Sequence, residues 1–150
     1  MTVGKVTSDA RQKGCVLVID DDDGVRRLLR TVFSVKELTV VEATSGADAE
    51  RHLAERRPDA IIIDLKSGET QGFDVLRRLR GQPDLERVPV VLITPSPSGS
   101  GQSEALEAGA DEVVTKPFGV ADLQQRVQRL LEEGRPRLRR PQPEPRRMVG

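Results

Sequence analysis

Apolar residues gather in five short runs along the chain: CVLVID (15–20), LTVVEA (38–43), DAIIIDL (59–65), VPVVLIT (88–94) and DEVVT (111–115). The first, third and fourth are apolar almost without interruption, which is the pattern of strands buried on both faces of a parallel sheet. The segments between them change to helical spacing. Val25, Leu28, Leu29, Val32 and Phe33 form one stripe, with Arg26, Arg27 and Arg30 turned away from it. Ser45 is placed to cap a helix that carries Ala49 and Leu53 and stops before Pro58. Phe73, Leu76 and Leu79 face inward from a helix over 73–80, and residues 66–72 read as loop. The Pro-, Gly- and Ser-rich stretch after Thr94 delays the next helix to about Glu104–Ala108, with Gly109 as a left-handed stop. The last helix starts near Val120 and turns Val120, Leu123, Val127, Leu130 and Leu131 to one side.

Five strands alternating with five helices predict an α/β domain, and right-handed crossovers make its parallel sheet doubly wound. A chain of 150 residues fits one such domain, expected over 15–133. No apolar run approaches the ~20 residues of a membrane span. Residues 1–14 lack the apolar stretch of a secretory signal and read as a flexible leader, so a cytoplasmic location is expected. Cys15 is the single cysteine, which excludes an internal disulfide or a cysteine metal cluster and suggests a small buried hydrophobe.

Charge adds a second division. The formal net charge is zero, yet residues 134–150 hold six arginines, four prolines and one glutamate. The rest of the chain is left with 18 basic and 23 acidic groups. An acidic body argues against a globular nucleic-acid-binding face. The 134–150 segment reads as a disordered basic tail, whose partners by charge are acidic proteins, nucleic acid or an anionic membrane surface.

The chemistry concentrates where strands end. The first strand runs into four consecutive aspartates, Asp20 to Asp23. Asp22 and Asp23 suit the start of a helix. Asp20 and Asp21 crowd negative charge at the strand end, where a hard divalent cation with oxygen ligands is the natural screen. Asp64 ends the third strand, Thr94 the fourth, and Lys116 follows the fifth. In an open parallel sheet, ligands sit outside the carboxyl ends of the strands where the winding reverses. If the strand order is 2-1-3-4-5, strands one and three meet at that point, and three carboxylates then face a hydroxyl and an ammonium. His52 sits on an Arg- and Glu-rich helix and reads as a surface residue.

These residues resemble the receiver domain of two-component response regulators over about 15–133. VLVIDDDDGVRRLLR matches the family's acidic strand and first helix, DAIIIDL its phosphoacceptor strand, and ALEAGADEVVTKPF a family signature. The resemblance implies a flavodoxin-like receiver fold of the single-domain chemotaxis-regulator kind. It makes Asp64 the acceptor of a phosphoryl group from a histidine kinase or phosphotransfer protein. Asp20, Asp21 and Asp64, with the backbone carbonyl of Lys66, would hold Mg²⁺. Lys116 would pair with one phosphoryl oxygen and Thr94 would donate to another. The Lys116–Pro117 peptide is expected to be cis. No DNA-binding domain is evident in the sequence, so output is expected through contact with a downstream protein.

Three positions depart from the family pattern. Pro95 replaces a small residue after Thr94 and removes a backbone N–H donor. Val113 stands where many receivers carry Tyr or Phe, and Gly68 replaces a common proline. Pro95 and Val113 motivate an alternative, a receiver-like adaptor that works without phosphorylation. A Mg²⁺-dependent phosphatase of the haloacid dehalogenase type is a more distant alternative, since that family places its nucleophile on the first strand.

Overall fold

In a computed structural model that describes residues 14–64, 69–95 and 99–138, the five apolar runs form one parallel sheet. The strands are β1 (Gly14–Asp20), β2 (Leu38–Ala43), β3 (Ala60–Asp64), β4 (Val90–Thr94) and β5 (Glu112–Thr115), in the order β2-β1-β3-β4-β5. Five helices alternate with them: α1 (Asp23–Ser34), α2 (Gly46–Glu55), α3 (Glu69–Arg80), α4 (Gly99–Ala108) and α5 (Val120–Glu133). The doubly wound order is the one expected from the sequence.

Strand alternation divides the core in two. Leu17, Ile19, Ile61, Ile63, Val90 and Leu92 point to the face where Ala49, Leu76, Leu79 and Ala105 pack, contributed by α2, α3 and α4. Val16, Val18, Ile62, Val91, Ile93 and Val114 point to the other face, against Leu29 and Phe33 of α1 and Leu123, Val127 and Leu130 of α5. Both faces of the sheet are therefore covered, which is why its strands read as unbroken apolar runs. Cys15 is buried at the start of β1, as expected, and burial pushes its thiol pKa up.

Local signals fix the helix ends nearest the strand tips. Asp22 caps α1, its Oδ1 accepting from the N–H groups of Gly24 and Val25. Ser45 caps α2 by accepting from the Asp48 N–H at 3.1 Å. Gly109 follows α4 with φ of 115°, a conformation that favours glycine.

Four expectations are corrected. Part of the segment read as loop is helical, since α3 begins at Glu69; residues 66–68 lie outside the described residues. Helix α4 begins at Gly99 rather than Glu104: Pro95 and Pro97 both precede it, and glycine and serine only weaken a helix without forbidding it. The apolar stripe of α1 is narrower than its spacing suggests: Leu28 is 45% exposed, whereas the Arg26 side chain is folded inward and only 12% exposed. Finally, the segment expected to be a loose tail from residue 134 opens with an ordered anchor. Arg135 is buried, and Pro136–Leu138 form a 3₁₀ turn; residues 139–150 lie outside the described residues.

That anchor sits at the amino ends of β4 and β5. Arg135 Nε is 2.9 Å from Asp111 Oδ1, and its Nη1 donates to the Glu86 carbonyl at 2.6 Å. Arg80 approaches the same aspartate from α3, with Nη2 2.8 Å from Oδ2, and also donates to the carbonyls of Leu85, Val88 and Gly109. The Val90 N–H donates to Asp111 Oδ2 at 2.8 Å. Burial, and then the nearby Arg135 charge, bring the Arg80 pKa down to about 10, so the group stays charged at neutral pH.

Candidate functional site

Parallel pairing of β1 with β3 runs in register from Val16 opposite Ala60 to Asp20 opposite Asp64. The two aspartates thus end adjacent strands side by side. Each is 1% exposed. One oxygen of each is engaged: Asp20 Oδ1 accepts from the Asp22 N–H at 2.8 Å, and Asp64 Oδ1 lies 2.8 Å from Lys116 Nζ. The other oxygens, Oδ2 of both residues, are buried without a hydrogen-bond partner. Buried polar atoms of that kind are uncommon and mark a place where a ligand is to be sought.

Electrostatics at the pair are tense. Burial raises the Asp20 pKa to about 7 against the lowering effect of the Asp22 N–H, and the negative charges of Asp64 and Asp21 raise it further while Lys116 lowers it. A divalent cation would relieve both the desolvation and the repulsion, and two unpartnered carboxylate oxygens are the hard donors that Mg²⁺ prefers. The donor set fits Mg²⁺ on that ground. Among the described residues, however, no three acidic, histidine or cysteine side chains gather closely enough to hold an ion by themselves.

The six residues picked out by sequence are not all equally placed. Asp20, Asp64 and Lys116 converge. Lys116 follows β5, its N–H donating to the Thr94 carbonyl at 2.9 Å, and the Lys116–Pro117 peptide is cis. Thr94 is buried at the end of β4. Asp21 is exposed at the rim, where it borders an open depression of about 270 Å³ together with Thr44, Ser45, Glu50, Asp74 and Arg78. Lys66, expected to offer a backbone carbonyl, lies outside the described residues. Pro95 is exposed directly after Thr94, and Val113 packs partly buried against the α2–α4 side of the sheet. His52 lies on α2 beside Asp48, 3.8 Å away.

One neighbour of the site escaped the sequence reading. Arg26 of α1 donates from Nη1 to the backbone carbonyl of Asp20 at 2.6 Å and is also paired with Asp23 and Glu42. Its sequence position on the polar side of the α1 stripe gave no sign of this contact.

The fold and the carboxylate–lysine arrangement at the strand ends define the receiver class of signalling domains. Residues 16–128 match the family model for the response regulator receiver domain. The chain belongs to the response regulator receiver domain family. It is 41% identical over 112 residues to the transcriptional regulatory protein KdpE of Mycobacterium tuberculosis, an alignment covering 75% of this chain and 48% of that protein. The chain spans about half the length of the curated relatives it matches. Among solved structures, the signal receiver domain of a signal transduction histidine kinase from Syntrophus aciditrophicus superposes with a TM-score of 0.70 at 31% identity, covering 79% of this chain and 90% of that one. The chemotaxis response regulator CheY4 of Vibrio cholerae gives 0.71 at 26% identity, covering 77% and 97%. The chain is thus a signalling domain of two-component systems, and among the described residues no helix is long and apolar enough to cross a membrane.

Proposed function

We propose that this receiver accepts a phosphoryl group on Asp64 from the phosphohistidine of a histidine kinase or phosphotransfer protein, with Mg²⁺ present, and signals through contact with a downstream protein. The observation that carries this reading is the buried Asp64, ion-paired with Lys116 at 2.8 Å and set in register beside Asp20. An Asp64 carboxylate oxygen forms a P–O bond as the P–N bond of the donor breaks, and the bonding pair leaves with the imidazole nitrogen. The Lys116 ammonium, already at the carboxylate, passes to a phosphoryl oxygen, and the Thr94 hydroxyl donates to another. Asp20, Asp21 and Asp64, with the carbonyl of Lys66, would hold Mg²⁺, which would neutralise charge on the phosphoryl oxygens. Hydrolysis of the acyl phosphate by water returns the carboxylate and inorganic phosphate. The added charge of about −1.5 to −2 then biases the surface presented to partners.

Incubation with acetyl phosphate and Mg²⁺, followed by intact mass, tests this reading. One added phosphoryl group on the wild type and none on Asp64→Asn is the expected result. An unmodified wild type at every Mg²⁺ concentration overturns it and favours the second reading, an adaptor that acts without phosphorylation. Pro95 supports that second reading, because it removes one N–H donor next to Thr94.

A further inference from the structure

The carbonyl of Asp20 is the last of β1, and Arg26 is a donor to it. This arginine stands in the first turn of α1, where side chains lean back toward the helix N-terminus, and its Nη1 reaches the Asp20 oxygen at 2.6 Å. The guanidinium is held from the far side by Glu42 of β2, 3.5 Å from Nε, and by Asp23 at the helix start. Glu42 sits opposite Val18 in the β1–β2 register and also pairs with Arg30, one turn further along α1. A single guanidinium therefore joins β1, β2 and α1 at the level of the acidic pocket.

Asp20 is consequently fixed at two points. Its backbone oxygen is bound by Arg26, and its Oδ1 by the Asp22 N–H in an Asx turn. Both restraints spare Oδ2, the buried oxygen without a partner. We infer that Arg26 is a positioning residue for the cation side of the phosphoacceptor pocket: it holds the end of β1 so that Asp20 presents Oδ2 beside Asp64. This rests on the Mg²⁺ role proposed for Asp20. Arg26 touches neither the cation nor the phosphoryl group, and acts through the placement of Asp20 alone. Arg30 provides the contrast, for it shares Glu42 but its side chain is 60% exposed and no contact joins it to Asp20.

The test is a titration of the full chain with Mg²⁺ alone, followed by backbone amide shifts, on wild type, Arg26→Gln, Arg26→Lys and Arg30→Gln. Loss of a hydrogen bond from a charged donor predicts about a tenfold weaker Mg²⁺ affinity for Arg26→Gln. Arg30→Gln is expected to match wild type, and Arg26→Lys to fall between, because an ammonium lacks the fork by which the guanidinium meets Asp20 through Nη1 and Glu42 through Nε. Acetyl phosphate labelling of Arg26→Gln should need more Mg²⁺ yet reach the wild-type rate at saturation. Wild-type Mg²⁺ affinity in Arg26→Gln, or a labelling rate still depressed at saturation, overturns the inference and leaves the proposed function standing. Absence of Mg²⁺ binding by the wild type overturns both. Should Arg26→Gln fail to fold, Arg26→Lys decides: an affinity equal to wild type refutes the positioning role.

Discussion

Asp20 and Asp64 lie directly opposite one another in the β1–β3 register, each with one buried carboxylate oxygen that no donor meets. The Asp20 pKa, raised to about 7, compares with about 4 in an unfolded chain. Between those values the folded state binds more protons than the unfolded one, so stability falls as pH rises through that window. Mg²⁺ held as proposed would favour the deprotonated form and reverse the loss above pH 7. Urea midpoints at pH 5 and pH 8 are expected to show a drop at pH 8 without Mg²⁺ and recovery with it. Asp64→Asn removes one cause of the raised pKa and should shrink the drop. Equal midpoints at both pH values without Mg²⁺ would contradict this.

Arg135→Ala is expected to destabilise the domain strongly. Removing one partner of a buried ion pair costs about 3–5 kcal/mol, and the lower end applies because Arg80 stays on Asp111. Urea unfolding of the full chain measures it. A change within error would mean that the Arg135 contact contributes nothing to the fold.

Gly109→Ala acts on the same cluster from another direction. A Cβ at this position would stand 2.6 Å from Arg80 Cγ, on a backbone with φ of 115°. Strain of that kind costs about 1–3 kcal/mol, and the Arg80 side chain must also shift. The expected outcome is a lower urea midpoint for Gly109→Ala, with acetyl phosphate labelling unchanged because the pocket lies at the other end of the strands.

Pro95→Ala is expected to speed phosphorylation. It restores a backbone N–H beside Thr94, and a hydrogen bond to a charged group is worth about 1.5–3 kcal/mol. If the bond forms in the transition state, labelling by acetyl phosphate accelerates about tenfold or more. Equal rates would show that position 95 contributes no donor.

What could be read from the chain, and what could not, follows from the range of the forces involved. Strand runs, most but not all of the α1 and α5 stripes, and the aspartates at strand ends are written in local periodicity, and local periodicity survives in a sequence. Chirality and crossover rules imply a doubly wound sheet without fixing the order of its strands. Arg26 and Arg135 were misread for a shared reason. Each is a long side chain whose head turns inward to a backbone oxygen outside its own element. Nothing near them in sequence names that oxygen: Asp20 is six residues from Arg26, and Glu86 is 49 from Arg135. Arginine beside proline resembles solvated tail until a buried aspartate is found to receive it. The start of α4 at Gly99 is not legible because glycine and serine disfavour a helix only weakly, so composition alone does not exclude one.

The Arg80–Asp111–Arg135 knot grips the sheet at the amino ends of β4 and β5, whereas the acidic pocket opens at the carboxyl ends. The length of β4, about 13 Å at the usual strand rise, separates the two. Fastening and chemistry are thus mounted on opposite rims of one rigid plate. A disturbance at the Arg135 anchor is therefore separated from Asp20 and Asp64 by the full length of a strand.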